Sequence, residues 1–465
     1  MSLKYEKIIK QMTLEEKARM MSGKNTWETV DFPGYGIPSM CLSDGPHGLR
    51  RQAGAGDHLG LNASLPATCF PTAASVANSW DEQLGEEIGT ALAEEAVTMG
   101  ANVILGPGLN IKRSPLCGRN FEYFSEDPYH AGKMAASYIR GIQSQGIAAC
   151  PKHFAANSQE LRRMANDFVV DERTFRELYT TGFEIAVKEG KAKSIMSSYN
   201  EVNGIYANEN SHMLQEILVD EWGFDGFVVS DWGGSNDHAL GVKNGSHLEM
   251  PGTGNSGVYD IVQAVKNGNL TEEVLDQRLD ELLTVIFDTH QATEEKKGAS
   301  FDIEAHHKLA RKAAQESIVL LKNEDNILPL QPGTKVAVIG DFAQTPRYQG
   351  AGSSLVNPAK QPESILNEIG NSGLEMIVFE QGYRRNKKGD AKLIERAKEA
   401  AKKAEVVLIF AGLDEISESE GLDRTHMNMP QAQNMLIDEI STVNPNVVVV
   451  LSAGSAVEMP WYSSS

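Results

Sequence analysis

A single aspartate ends an apolar segment near the middle of the chain. Residues 226–234 read Gly-Phe-Val-Val-Ser-Asp-Trp-Gly-Gly, so Asp231 follows a run typical of a buried β-strand and precedes two glycines. An aspartate in this position commonly caps the next helix. It can also serve as a catalytic carboxylate when it lies at the carboxyl end of a barrel strand. This motif alone favours the cap, whereas the other motifs of the chain favour catalysis.

Several other apolar runs are also followed by polar, titratable or Gly/Pro residues. Helix-like stretches such as 81–99 and 171–188 separate these runs. Chemistry spread over many strand ends is typical of a barrel, because a doubly wound sheet gathers its ligand at one point. We therefore predict an α/β protein whose residues 1–290 form a TIM-like (β/α)8 barrel, complete or incomplete. The predicted strands are 39–42, 73–76, 102–105, 147–150, 194–197, 226–230 and 247–250.

If these strand ends face one pocket, cations and a phenol would surround Asp231 and keep it ionised. An ionised, oriented carboxylate suits covalent catalysis at the anomeric carbon of a sugar. Arg119 has a simpler alternative, an ion pair with Glu122 or Glu126. The predicted polar residues of the pocket are Asp44, Arg50, Arg119, Lys152, His153, Tyr199 and Asp231, with Phe154 and Trp232 as apolar walls.

A second domain follows a polar segment. Residues 292–300 are predicted to form a solvated linker, and 303–321 a connecting helix, within a region 291–325. Apolar runs alternating with helix-length stretches then predict an α/β sandwich over 326–465. The pair His306-His307 lacks metal-binding spacing and is expected at the surface.

A carboxylate-rich loop follows the predicted strand 406–410. A glycosidase of this type also needs a carboxyl group that acts first as acid and then as base. Spacing alone does not choose among Glu415, Glu418 and Glu420, and Arg424 is expected to fix the loop by pairing with Asp423.

Bulk properties exclude several classes of partner. The 465 residues are 41% hydrophobic, enough for two or three domains, and the net charge is -20, from 43 Lys and Arg against 63 Asp and Glu. This charge disfavours nucleic acid and anionic membranes as partners. The first seven residues contain no apolar signal core, and the four cysteines form no CxxC pair. We therefore expect a reduced, cytoplasmic protein with no metal site.

Seven motifs together resemble the glycoside hydrolase family 3 β-glucosidases, along essentially the whole chain. The resemblance implies a barrel-like first domain, often incomplete in this branch, and an α/β sandwich second domain. It also implies that Asp231 is the nucleophile and Glu420 the acid/base. Asp44, Arg119, Lys152, His153 and Tyr199 match sugar-binding positions, Trp232 an apolar wall, and Arg50 a supporting position. The motifs are 42–50, 118–122, 152–157, 196–200, 229–232, 316–323 and 418–424.

The function expected from this resemblance is a retaining exo-acting β-glycosidase that releases terminal β-D-glucosyl residues without a cofactor. The substrate would be a small β-glucoside or an oligosaccharide. The alternatives are a β-xylosidase or another β-glycosidase of the same family, or a sugar-binding fragment without turnover. Relatives continue beyond residues 459–461, so we expect a chain truncated at its C-terminus, with a homo-oligomer or a complementing C-terminal segment as partner. His247 stands where many relatives carry an acidic residue.

Overall fold

The computed structural model describes residues 3–52, 56, 62–385 and 389–463. The chain divides into two compact units. The first comprises Met1–Ser114, Glu122–Ser317 and Gly352–Ala359, and the second comprises Pro115–Phe121, Ile318–Ala351 and Lys360–Ser465. Each unit therefore contains residues from separate parts of the sequence.

Short strands form the centre of the first unit. β1 pairs in parallel with β2, which pairs in parallel with β3, and β5 pairs in parallel with β8. A small separate sheet contains β4, β6 and β7. The strands are β1 Leu42–Asp44, β2 Val103–Leu105, β3 Ala148–Ala149, β4 Asp167–Phe168, β5 Ser194–Met196, β6 Glu201–Val202, β7 Ile205–Tyr206 and β8 Phe227–Val229.

Single backbone bridges close these strands into a ring. One parallel bridge links the segment after β3 to the end of β5, and two more lead from β8 through residues 248–249 to Ser22. Two antiparallel bridges then return to the start of β1. The predicted TIM-like barrel is thus confirmed, with an irregular first part. The bridges are Phe154–Ser197, Val229–Leu248, Ser22–Glu249, Gly23–Thr29 and Glu28–Cys41.

Helices surround the ring. Alternation along the strands sends Ile104, Ile195 and Val228 toward α4, α5 and α7, while their neighbours Val103 and Phe227 join a second core cluster with α2, α9 and α10. Two π-helical stretches, Phe175–Thr180 and His212–Glu221, add to this shell. The α-helices are α1 Glu6–Ile9, α2 Leu14–Met20, α3 Ala73–Val76, α4 Glu82–Thr98, α5 Pro128–Gln143, α6 Glu172–Thr174, α7 Thr181–Lys188, α8 His238–Asn244, α9 Ser256–Lys266, α10 Glu272–Lys296 and α11 Ile303–Glu316.

Three local predictions were wrong. Residues 73–76 form helix α3 and not a strand. The prediction failed because a four-residue apolar run does not distinguish a strand from a helix. The linker expected from residue 292 begins later, because α10 continues as far as Lys296. The charged side chains that suggested a linker belong to the solvated last turn of this helix. His306 is buried and not at the surface: its ring nitrogens lie 2.8 Å from Glu95 and 3.0 Å from Glu94, both on α4.

The second unit is a parallel sheet covered on both faces, as predicted. Its strands are β9 Lys335–Ile339, β10 Glu375–Glu380, β11 Val406–Gly412 and β12 Val447–Ser452, in the order β10-β9-β11-β12. α14 and α15 cover one face, and α12 and α13 the other. The helices are α12 Asp341–Gln344, α13 Ile365–Glu368, α14 Ala391–Ala401 and α15 Gln431–Ser441.

The strand order of this sheet identifies one edge as a place for ligands. The chain leaves β9 toward β10 on one side and later returns to β11 on the other side, so the order reverses between β9 and β11. In such sheets, ligands bind outside the carboxyl ends of the strands at the point of reversal. The carboxylate-rich loop after β11 begins at this point.

Within the described part of the chain, no helix combines the length and the apolar character required to cross a membrane.

His306 gives the first unit a pH-dependent contact. Burial alone would lower its pKa, but hydrogen bonds to Glu95 and Glu94 outweigh burial, so its pKa is raised above the ordinary value. The stabilisation from the protonated ring is fully present below the ordinary histidine pKa of about 6.5. It is lost as the pH rises through the raised pKa of the folded state.

We expect His306→Gln to destabilise the chain by on the order of 2 kcal/mol at pH 6 and by clearly less at pH 9, because hydrogen bonds to charged groups are removed. Thermal denaturation of both proteins at the two pH values measures the difference. His290→Gln, at a half-buried position on α10, is the control. Equal destabilisation at both pH values would contradict a protonated His306.

Candidate active site

Asp231 follows β8 and does not cap a helix. The next helix, α8, is capped by Asp237, whose side chain accepts the N–H of Leu240. Asp231 is 8% exposed, and one of its carboxylate oxygens accepts the N–H of Trp232 at 2.7 Å. Its other oxygen lies 3.5 Å from Nε2 of His153. The helix-cap alternative is therefore wrong, and the carboxylate faces a histidine from another strand end.

His153 is held on both its backbone and its ring. Its N–H donates to the side-chain oxygen of Asn110 at 2.7 Å, and the side-chain amide of Asn110 donates to its carbonyl at 2.8 Å. The hydroxyl of Tyr123 lies 3.1 Å from Nδ1. Because Asn110 follows β2 and His153 follows β3, these hydrogen bonds join two neighbouring loops. They fix the edge of the ring that Nε2 presents to Asp231.

A buried chain of alternating charges lies in the same unit. Lys152 Nζ is 3.2 Å from Glu122 and 3.7 Å from Asp44, and Arg50 donates to the other carboxylate oxygen of Asp44 at 2.8 Å. All four residues are at most 4% exposed. Buried charges are tolerated only when each faces its opposite. Asp44 and Lys152 are thus fixed side chains that present charged groups at two strand ends.

Glu122 was missed as a site residue at the sequence level. It was considered only as a partner for Arg119, whereas the structure places it beside Lys152. Its signal in the sequence is its position in the motif 118–122, which contains two charged side chains separated by two residues. A carboxylate three residues after a candidate site arginine, within one short motif, is the pattern that could have identified it.

Aromatic rings form one side of the site. The indoles of Trp232 and Trp27 have centroids 5.1 Å apart, and Nε1 of Trp232 donates to the carbonyl of Thr26 at 2.8 Å. Tyr199 donates from its hydroxyl to the carbonyl of Trp232 at 3.1 Å. Trp27 was not predicted, because it lies far from the strand ends in sequence.

The predicted wall residue Phe154 lies elsewhere. It is fully buried against Phe183 and Trp222, in the cluster between the barrel and its outer helices. Successive side chains of an extended segment point to opposite sides. His153 faces Asp231, so Phe154 faces the helices, and its assignment to the pocket was wrong.

The second unit separates the three candidate glutamates of the loop after β11. Glu415 is half exposed and pairs with Arg385 at 3.1 Å. Glu418 is 1% exposed, accepts from the N–H of Gly454 at 3.0 Å, and pairs with Arg347 at 2.6 Å. The side chain of Glu420 is 14% exposed and lies 3.7 Å from a guanidinium nitrogen of Arg119. Of the three, only Glu420 combines partial access with a buried cation.

Local backbone contacts fix Glu420. Its N–H donates to the carbonyl of Ala351 at 2.9 Å, and a tight bridge joins Ser419 to Leu422. This turn passes through Gly421, whose φ of +84° strongly favours glycine. Gly118 approaches so closely that a Cβ there would lie 1.7 Å from the carbonyl oxygen of Leu422. The position of Glu420 thus depends on two glycines.

The segment 115–121 is bound to this loop. Gly118 N–H donates to the side chain of Asp423 at 3.0 Å, and Arg424 N–H donates to the carbonyl of Leu116 at 2.8 Å. The expected pair of Arg424 with Asp423 was wrong: the guanidinium of Arg424 donates to Ser455 and to the carbonyl of Ala456. These hydrogen bonds of its neighbours hold Arg119 beside Glu420. The sequence did not predict this pair.

Comparison with known proteins identifies the family of the chain. The model of the glycosyl hydrolase family 3 N-terminal domain matches residues 57–285, and that of the C-terminal domain matches residues 318–465. The chain is 52% identical to thermostable β-glucosidase B of Acetivibrio thermocellus, over 99% of this chain and 61% of that protein. It is 44% identical to an exo-α-(1→6)-L-arabinopyranosidase of Bifidobacterium longum, over 97% of this chain and 61% of that protein.

Solved structures give the same result. A β-glucosidase of Bifidobacterium adolescentis superposes with a TM-score of 0.92 at 42% identity, covering 98% of this chain and 65% of that one. β-Glucosidase 3B of Thermotoga neapolitana, in complex with glucose, superposes with a TM-score of 0.90 at 35% identity, covering 99% and 70%. The chain spans about 61% of the length of the Acetivibrio thermocellus and Bifidobacterium longum relatives. On these matches, the chain belongs to glycoside hydrolase family 3.

Proposed function

We propose that this chain is a retaining, exo-acting β-glycosidase that releases terminal β-D-glucosyl residues by double displacement. The observation that supports this most is the setting of Asp231, a buried carboxylate after β8 that faces His153 and lies beside the Trp232–Trp27 wall. A carboxylate held in this way suits attack on an acetal carbon. The names of the β-glucosidase relatives support glucose as the sugar.

The proposed reaction has two steps. In the first, a carboxylate oxygen of Asp231 bonds to the anomeric carbon, the bond to the leaving oxygen breaks, and the carboxyl group of Glu420 gives that oxygen its proton. In the second, Glu420 takes a proton from water, the water oxygen bonds to the anomeric carbon, and the bond to Asp231 breaks. Two inversions give net retention.

The surrounding side chains would hold the sugar. Asp44 can accept hydrogen bonds from ring hydroxyls, because Arg50 and Lys152 fix its two oxygens without covering the whole carboxylate. Lys152 and His153 can donate to neighbouring hydroxyls, and Trp232 can contact the apolar face of the ring. In this proposal Tyr199 supports the sugar site, and Arg119 positions the carboxyl group of Glu420.

A second sugar has specific support. Two relatives, at 44% and 43% identity, are named exo-α-(1→6)-L-arabinopyranosidases. We therefore propose L-arabinopyranose as the competing sugar, handled by the same two carboxyl groups. The ratio of kcat/KM for 4-nitrophenyl β-D-glucoside and 4-nitrophenyl α-L-arabinopyranoside decides between them.

We also propose a macromolecular partner and a cellular location. The consecutive residues Ile318, Val319, Leu320 and Leu321 are between 52% and 79% exposed, which supports coverage by a complementing C-terminal segment or by a second copy of the chain. Burial raises the pKa of Cys41 to about 11 and of Cys69 and Cys150 to about 12, and none of the four cysteines is in a disulfide. Such thiols support a reducing, cytoplasmic location.

We expect Asp231→Asn to lower kcat for an aryl β-glucoside by at least about 1,000-fold, because the amide cannot form the glycosyl ester. The thermal midpoint should stay near that of the wild-type chain, since the amide still accepts the N–H of Trp232. Asp237→Asn, which alters the cap of α8 instead, is the control. Turnover that survives Asp231→Asn would remove Asp231 from the mechanism.

For Glu420→Ala we expect a split between the two steps. A substrate with a good leaving group, such as 2,4-dinitrophenyl β-D-glucoside, should still form the glycosyl-enzyme, because its departure needs little protonation. Breakdown should be slow, and azide should accelerate it and give a β-glycosyl azide, since azide needs no general base. Glu415→Ala is the matched control from the same loop. If azide has no effect on Glu420→Ala, another carboxyl group is the acid/base.

Glu418→Ala should act on stability and not on the acid/base step. It leaves Arg347, whose side chain is 6% exposed, without its carboxylate partner, at a cost of about 3 kcal/mol. Denaturant unfolding of Glu418→Ala and Glu415→Ala measures this, and the half-exposed pair of Glu415 should contribute less than about 1 kcal/mol. Azide rescue of Glu418→Ala would exchange the roles of Glu418 and Glu420.

A further inference from the structure

A buried carboxyl group outside the proposed mechanism contacts the loop that carries Asp231. Glu209 ends the short 3-10 turn Ala207–Glu209 and is 3% exposed. Its Oε1 accepts two backbone N–H groups, from Asn236 at 2.8 Å and from Asp237 at 3.1 Å. Its own carbonyl accepts from the side-chain amide of Asn244 on α8 at 2.7 Å. One residue thus holds the loop and the helix that follows it.

The two amides lie at the far end of the loop 231–237. At the near end, Gly233 N–H donates to the carbonyl of Met250, and Gly234 N–H donates to the carbonyl of Asp231, both at 2.7 Å. Gly233 itself has a φ of +86°. Glycines resist backbone rotation little. The course of this loop therefore depends on what holds its two ends.

We propose that Glu209 is a positioning residue: it fixes the far end of the loop 231–237 and thereby sets the direction in which the carboxylate of Asp231 points. This inference rests on the proposed function, in which Asp231 is the nucleophile. Misplacing a reacting group by about 1 Å can cost about 100-fold in rate. The two hydrogen bonds of Glu209 therefore have a catalytic consequence as well as a structural one.

The protonation state of Glu209 indicates which substitution keeps its hydrogen bonds. Burial raises its pKa to about 7, against the opposing effect of the two backbone amides, and nearby Asp237 raises it further. A large share of Glu209 is therefore neutral near pH 7, and one oxygen accepts both amides. Glutamine keeps that oxygen at the same reach, whereas leucine keeps the size and removes the acceptor.

The experiment compares Glu209→Gln and Glu209→Leu in the full chain at pH 7. The rate constant for glycosyl-enzyme formation is measured from the pre-steady-state burst with 2,4-dinitrophenyl β-D-glucoside, beside KM and the thermal midpoint. We expect Glu209→Gln to stay within about threefold of wild type and Glu209→Leu to lose about 10- to 100-fold in this rate constant, with a smaller change in KM. Amide hydrogen exchange of the peptide covering 231–237 should accelerate in Glu209→Leu alone. Glu201→Leu, on β6, is the control for loss of a carboxylate nearby.

Two results would overturn the proposal: an unchanged rate constant in Glu209→Leu, or equal losses in both variants together with equal drops in the thermal midpoint. If Glu209→Leu does not fold, Glu209→Asp replaces it, because the shorter side chain withdraws the acceptor by one methylene, and the same criteria apply. Failure of the proposed function gives a different result, in which the wild-type chain forms no glycosyl-enzyme or carries the sugar on a residue other than Asp231. In that case hydrogen exchange still decides whether Glu209 fixes the loop: unchanged exchange in the folded variant overturns the inference.

Discussion

The rest of the first unit depends on pairing of charges at the carboxyl ends of the barrel strands. A buried ammonium group such as that of Lys152 is stable only beside carboxylates, and Asp44 and Glu122 supply them. These groups come from different loops: Asp44 ends β1, Glu122 follows β2 and Lys152 follows β3. Moving one loop would leave a charge on another without its partner. The charge pairs therefore fix the loops in one arrangement. His153 directly follows Lys152, so fixing Lys152 also fixes the position of His153.

In the second unit, the strand order determines where the loop with the candidate glutamates lies. The reversal of strand order between β9 and β11 opens a crevice at their carboxyl ends, and the loop after β11 begins there. Within this loop, tertiary partners separate two glutamates that lie two residues apart. Glu418 is enclosed by Arg347 and Gly454, whereas Glu420 is partly accessible beside Arg119. Two carboxylates on one short segment thus have different surroundings, one enclosed and one partly accessible.

The sequence predicted what local pattern controls. The barrel, the second sheet and the grouping of Asp231 with His153 followed from apolar runs that end in polar residues, because parallel strands carry their carboxyl ends to one edge. It could not predict contacts between distant segments. Glu122 beside Lys152 and Trp27 beside Trp232 depend on which loops meet. Phe154 was wrongly assigned to the pocket because the motif was treated as a unit. Its successive side chains in fact point to opposite sides, so Phe154 faces away from the side that His153 faces.

The division of the chain has a further consequence for dissection. Residues 352–359 belong to the first unit, where Ala67 pairs with Pro358, although they follow much of the second unit in sequence. Residues 115–121 belong to the second unit, although the first surrounds them in sequence. No cut at a single peptide bond can therefore release either unit whole. A fragment ending at Ser317 would keep Arg119 but discard Glu420, and it would lack a segment of its own barrel unit.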